Sequence, residues 1–203
     1  MRAKNLFLLM VVLLPFVCAK AETTDVSAIS DALYVNDACV SRGKTVTLSL
    51  QMKNSKEVVG FQCDFYAPAH SQVALDDSGL YAISLSEDRT TANNTNTFDF
   101  ALQSDGAIRI LACSSRNIPF EGNEGEVAKI VLSVDEDIEP GQYPLILRNI
   151  VLSDDLGNTI TVPYVETTLT VEKYSVGDVN RDGRIDVSDI SYLVNIILGR
   201  TSE

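Results

Sequence analysis

Tryptophan is missing from this chain, histidine occurs once, at His70, and cysteine only four times in 203 residues. Without tryptophan there is no broad aromatic platform of the kind a sugar-binding face leans on. Tyr34, Tyr66, Tyr81, Tyr143 and Tyr164 remain as candidates, and each also fits ordinary sheet packing. A single histidine and no C-x-x-C spacing argue against a zinc site. Positive charge is scarce, with 16 Lys and Arg against 28 Asp and Glu, a net charge of −12. Such a surface repels phosphate backbones, so nucleic acid is not an expected partner. Long apolar runs are confined to the start, where Leu6 to Val17 is broken by Pro15. That is short of the roughly 20 residues a membrane span needs, so no transmembrane segment is expected.

The start reads instead as a secretory signal. Arg2 and Lys4 precede the apolar run, and Ala19-Lys20-Ala21 follows it with small residues where a signal peptidase reads. Cleavage after Ala21 predicts a secreted or cell-surface protein. A minority reading makes Cys18 a lipidated residue. Loss of residues 1–21 removes Arg2, Lys4 and Lys20 and no acid, leaving 13 basic against 28 acidic residues. Three cysteines then remain. Cys63 and Cys113 both fall in predicted strands and are the preferred disulfide pair. Alternatively, Cys39, Cys63 and Cys113 are all small buried apolar residues.

From about residue 25 to 173 the hydrophobic pattern has period two. Val46, Leu48, Leu50 and Met52 alternate with polar residues, as do Val59, Phe61, Cys63 and Phe65, and Ala128, Ile130, Leu132 and Val134. Leu145 and Leu147 repeat the scheme, and Ile150 and Leu152 follow it less cleanly. Turn signals punctuate these runs, among them Ser104-Asp105-Gly106 and Glu139-Pro140-Gly141. Short strands at this rhythm predict a mostly β, sandwich-type domain over residues 22–173. The acidic pairs Asp76-Asp77 and Asp154-Asp155 read as turn chemistry rather than metal ligands. Asn93-Asn94-Thr95 fits a glycosylation sequon. Acids are plentiful, yet no spacing selects the carboxylate pair of a glycosidase. His70 beside Ser71 reads as an ordinary surface residue, not part of a triad. The chain is therefore not expected to be an enzyme.

Residues 174–203 differ. Asp178, Asn180, Asp182, Asp186 and Asp189 stand at positions 1, 3, 5, 9 and 12 of a loop with Gly183 at position 6. Oxygen ligands at that spacing, with glycine at the sharp turn, are the pattern of a calcium loop. Arg184, at position 7, contributes its backbone carbonyl, and Ile185 anchors the loop to a partner loop or core. The expected cofactor is Ca2+. Val187, Ile190, Leu193, Val194 and Ile197 then fall on one face of a helix that Gly199 ends. No helix precedes the loop; Leu169 to Lys173 looks like a strand. Only half of an EF-hand-like unit is present, and its apolar face has to pack on something.

Gly177 to Ile190, with Tyr192 to Gly199 after it, closely resembles a type I dockerin repeat. Dockerins carry calcium loops ending in Asp, each followed by one helix, which matches the absent first half. The resemblance implies docking to a cohesin-type protein partner, with Val187, Ser188, Val194 and Asn195 at the partner-reading positions. The family normally carries two repeats, and one is present here. The larger domain resembles a cohesin-like jelly-roll sandwich of secreted Bacteroidetes proteins, through Val58 to Pro68, Ala107 to Ser115, Gly122 to Ile130 and Pro140 to Leu145. The two resemblances together imply a non-catalytic binding or assembly protein working in polysaccharide binding or degradation. An alternative is a carbohydrate-binding module whose calcium unit is only a structural cap. Partners on these readings are a cohesin-type protein or a polysaccharide, with self-docking or a homodimer also open.

Overall fold

The computed structural model describes residues 29–90, 96–160, 162–165, 167–174 and 177–200. The signal segment, Cys18 and the Asn93 sequon lie outside the described residues. Twelve strands and one helix follow in order: β1 (Ala32–Val35), β2 (Ala38–Ser41), β3 (Thr45–Lys53), β4 (Val58–Tyr66), β5 (Ser71–Val73), β6 (Ile83–Leu85), β7 (Asn96–Leu102), β8 (Ile108–Ser114), β9 (Glu124–Val134), β10 (Gly141–Asp154), β11 (Thr159–Ile160), β12 (Thr167–Glu172) and α1 (Val187–Ile197).

The strands form two sheets. One runs β1-β3-β9-β5, with β6 also on β9; the other runs β2-β12-β10-β4-β8-β7, with β11 on β10. The first strand of the pattern is split between them. β1 pairs antiparallel with β3, whereas β2 pairs parallel with β12. The crossing is pinned where the Asp37 carboxylate accepts the Thr168 backbone N–H at 2.8 Å.

Alternation places one apolar face of each sheet inward. Leu48, Leu50 and Met52 of β3 meet Phe61, Cys63 and Phe65 of β4 and Leu145, Leu147 and Leu152 of β10 in a single buried core. At about 25 cal/mol per Å2 of apolar surface removed from water, this interface is the main favourable term of the fold. The mostly β sandwich and its period-two strands are as the sequence pattern predicts.

The preferred cysteine pairing is not. Cys63 stands opposite Ile110 and Cys113 opposite Gly60, three rungs apart on neighbouring strands. Three rungs span about 10 Å and reverse the side-chain direction, beyond the roughly 7 Å Cα limit for a disulfide. Cys63 is buried in the core and Cys113 is exposed, and both are free thiols. The reading of three buried cysteines therefore holds for Cys63 and fails for Cys113, while Cys39 is half-buried.

The acidic turns are turns. Asp76 Oδ1 accepts the backbone N–H groups of Ser78 and Leu80, and Asp154 Oδ1 those of Leu156 and Asn158. Among the described residues no helix is long and apolar enough to cross a membrane.

Candidate functional site

Two surfaces have the means to bind. The first is the C-terminal loop and helix. Gly183 adopts φ +87°, the left-handed turn expected at loop position 6, and Arg181 adopts φ +62°. Asp178, buried, accepts the Asp182 N–H on Oδ1 at 3.1 Å and the Gly183 N–H on Oδ2 at 2.9 Å. Asn180 Oδ1 accepts the Asp182 N–H at 2.9 Å, and Asp182 Oδ1 accepts the Arg184 N–H at 2.9 Å. Asp189 ties the far end back to the start. Its Oδ1 accepts the N–H groups of Val179 and Asn180, and its Oδ2 that of Asp186.

Asp189 also completes a capping box with Asp186, whose carboxylate accepts the Ser188 N–H at 2.7 Å. Helix and loop are therefore one hydrogen-bonded unit. Bonds from Ser188 hold the Asp186 carboxyl below the usual range, and the Asp186 N–H does the same, first among several amides, for Asp189. The helix closes with a Schellman pair, Arg200 N–H to the Asn195 carbonyl and Gly199 N–H to the Ile196 carbonyl, with Gly199 at φ +65°.

The donor set suits calcium, which is hard and takes six to eight oxygens. Asp178, Asn180, Asp182, Asp186, Asp189 and the Arg184 carbonyl supply oxygens only. Each carboxylate oxygen that accepts one amide keeps a second lone pair. The carboxylates are here turned to the loop's own amides. The trio of His, Cys, Asp or Glu groups with ligand atoms within 4.8 Å of one another, among the described residues, is His70, Asp135 and Asp137. All three are exposed, with His70 Nδ1 4.0 and 3.8 Å from the two carboxylates, a contact on the open surface. The Ser71 hydroxyl donates to the Pro68 carbonyl at 2.8 Å, so no triad is built with His70.

Val187 and Val194 form one i, i+7 pair on α1, and Ser188 and Asn195 another beside it, so the expected partner-reading residues share one side of the helix. Ser188 is tied to the loop through the Asn180 side-chain amide at 2.9 Å. The apolar face is uncovered. Ile190 is 64% exposed and Ile197 63%, and of the helix residues only Asp189 is buried. Ile185, expected to anchor the loop, packs over Gly177 but stays 61% exposed. The helix therefore does not cap the sandwich.

The second surface, missed by the sequence reading, is the outer face of β10-β4-β8-β7. Asp64, buried, takes a two-pronged bond from Arg109, Nε at 2.7 Å and Nη2 at 2.8 Å, and a third from Asn149 Nδ2 at 2.6 Å. Arg109 holds the Asp64 carboxyl below the usual carboxylate range, against burial, with Asn149 assisting. Asn149 reaches Asp64 because β10 bulges between Arg148 and Val151, where Asn149 itself takes φ +49°. Two rungs along on the same face, the Tyr66 hydroxyl donates to Asp105 at 2.6 Å, and the Arg148 guanidinium lies 5.6 Å over the Tyr66 ring. This row fixes polar groups on an open sheet face. The only sequence signal for it is the outward register of Gln62, Asp64 and Tyr66.

The sequence profile of the Cohesin domain matches residues 32–172. No curated protein matches the chain. Among solved structures, a cohesin from Clostridium acetobutylicum is 16% identical with a TM-score of 0.57, covering 70% of this chain and 91% of that one. A non-cellulosomal cohesin from the hyperthermophilic archaeon Archaeoglobus fulgidus is 14% identical with a TM-score of 0.54, over 71% and 92%. A chain of a type I cohesin–dockerin complex from Clostridium thermocellum is 15% identical with a TM-score of 0.56, over 70% and 99%. At these identities the likeness concerns the fold.

Proposed function

Because this chain belongs to the cohesin domain family, we propose that it is a secreted or surface-held docking protein with a second, calcium-dependent contact at its C-terminus. The cohesin domain is a non-catalytic binding module. On this reading the sandwich takes a protein partner of the dockerin type, since similar structures are solved in complex with dockerins. The fixed polar row on the outer face of β10-β4-β8-β7 supplies a surface for it. The loop, a single dockerin-like repeat, takes one calcium ion through Asp178, Asn180, Asp182, Asp186, Asp189 and the Arg184 carbonyl. Bound calcium would neutralise the four carboxylates and fix the start of α1. Val187, Ser188, Val194 and Asn195 then face a partner. The signal-like start supports export, and the resemblance to dockerin-bearing proteins supports a setting in polysaccharide breakdown.

The observation that carries this reading is the uncovered helix. An isolated helix of this length is marginal in water, and one apolar over most of its circumference is built to be buried. It is tied to its loop through Asp189 and its apolar face stays exposed, which favours an external contact over the structural-cap reading. The test is capture of partners from the source organism's secreted proteins by the full chain, with calcium and with chelator. Calcium-dependent capture that Ile190→Asp abolishes supports docking through α1. Capture indifferent to both calcium and Ile190→Asp removes the C-terminal contact, and release of sugars from polysaccharide overturns the non-catalytic assignment.

A further inference from the structure

At one end of the sandwich the two sheets part. β5 ends one sheet and β7 the other, and no described strand bridges them. The gap holds a cleft of about 480 Å3, within the range of small-ligand pockets. Its floor is buried apolar surface from Phe65, Val73 and Ile108. Its mouth is different. Leu102, 60% exposed, forms one wall, and Tyr81 lines the cleft with its ring held edge-on against Phe100 at 6.4 Å. Asp105 stands at the rim, oriented by the Tyr66 hydroxyl on Oδ2 and by the Ala107 N–H on Oδ1 at 3.2 Å.

The chemistry of this lining narrows the ligand. The rim charge is a carboxylate, and the chain carries a net charge of −12, so anions are repelled. The Tyr66 hydroxyl keeps Asp105 below the usual carboxylate range, which leaves it ionised and acceptor-only near neutral pH. A purely apolar ligand would cover Asp105 without giving its free lone pairs a donor, at a cost. A ligand with a C–H face for Leu102 and Tyr81, and hydroxyl donors at its edge for Asp105, satisfies both halves of the lining. We propose that this cleft is a binding site for a neutral pyranose ring, seated against Tyr81 and Leu102 and hydrogen-bonded to Asp105. The site lies apart from the C-terminal loop and helix; it shares the Tyr66–Asp105 pair with the polar row of the outer sheet face, while Leu102 and Tyr81 belong to the cleft alone.

The test is NMR titration of the full chain with the methyl glycosides of glucose, galactose, mannose and xylose, each to about 50 mM, a range that detects the weak affinity of a single ring. At least one sugar should shift the amides of Tyr66, Gln72, Tyr81 and Ala107 saturably. Asp105→Asn, which keeps size and the acceptor oxygen toward Ala107, should weaken that binding about tenfold or more, the loss expected for one charged hydrogen bond. Leu102→Glu, at a position too exposed to disturb the core, should do the same by replacing the apolar wall with charge. Silence of the cleft amides toward all four sugars overturns the proposal. So do shifts that map elsewhere, affinity unchanged in both variants, or a cleft that responds to choline but to no sugar.

Discussion

Replacing Gly183 with alanine isolates what the loop contributes to the helix. Gly183 sits at φ +87° with nothing within 4 Å of the position a Cβ would occupy. The substitution therefore causes no clash, and its cost is conformational, about 1–2 kcal/mol for an L-residue in the left-handed region. Asp189 binds loop amides and the helix N-cap together, so opening the helix releases the loop. The penalty should then appear in the helix, as a local opening equilibrium raised about 5- to 30-fold. Amide hydrogen exchange read over residues 191–198 measures it directly. Gly79→Ala is the matched control, since Gly79 has φ +77° and equally open surroundings in a sandwich turn. It should leave exchange in α1 unchanged. Unaltered exchange over 191–198 in Gly183→Ala would refute the claim that loop and helix form one unit.

Three further outcomes follow from the geometry. Asp64→Asn should flatten the acid limb of the stability profile. The Asp64 carboxyl is depressed in the folded protein, so its contribution is full above the ordinary value of 3.8 and is lost as pH falls through the lower folded value; melting scans below about pH 4 should show wild type losing stability faster than the variant. Alkylation of the native protein should label Cys113 and spare Cys63, because burial excludes reagent and pushes the Cys63 thiol up, and peptide mapping should find no Cys63–Cys113 disulfide. Ile197→Asp should leave the melting temperature of the sandwich unchanged, since the side chain is 63% exposed, while removing any calcium-dependent partner capture.

Alternation made the sandwich legible in the sequence, because a strand with one apolar face commits its side chains to a second layer whatever its neighbours are. The turn at Gly183 and the helix end at Gly199 were legible for a similar local reason, as both act within a few residues; the cap at Asp186 was not read. The polar row on the outer sheet was not. Arg109 and Asn149 lie 45 and 85 positions from Asp64, on two other strands, and Asn149 reaches the cluster only through a bulge in β10. The split of residues 32–41 between two sheets is equally non-local, since it depends on Asp37 meeting Thr168. Pairing Cys63 with Cys113 failed because strand membership says nothing about register, and a three-rung offset turns the two thiols to opposite faces.

Calorimetric titration of calcium into the chelator-stripped full chain tests the central claim most directly. One ion bound per chain, with its heat abolished in Asp178→Ala and retained in Asp154→Ala, is the predicted result, because Asp154 only closes a turn. Absence of heat in the wild type, together with a melting curve unmoved by calcium, would contradict the account.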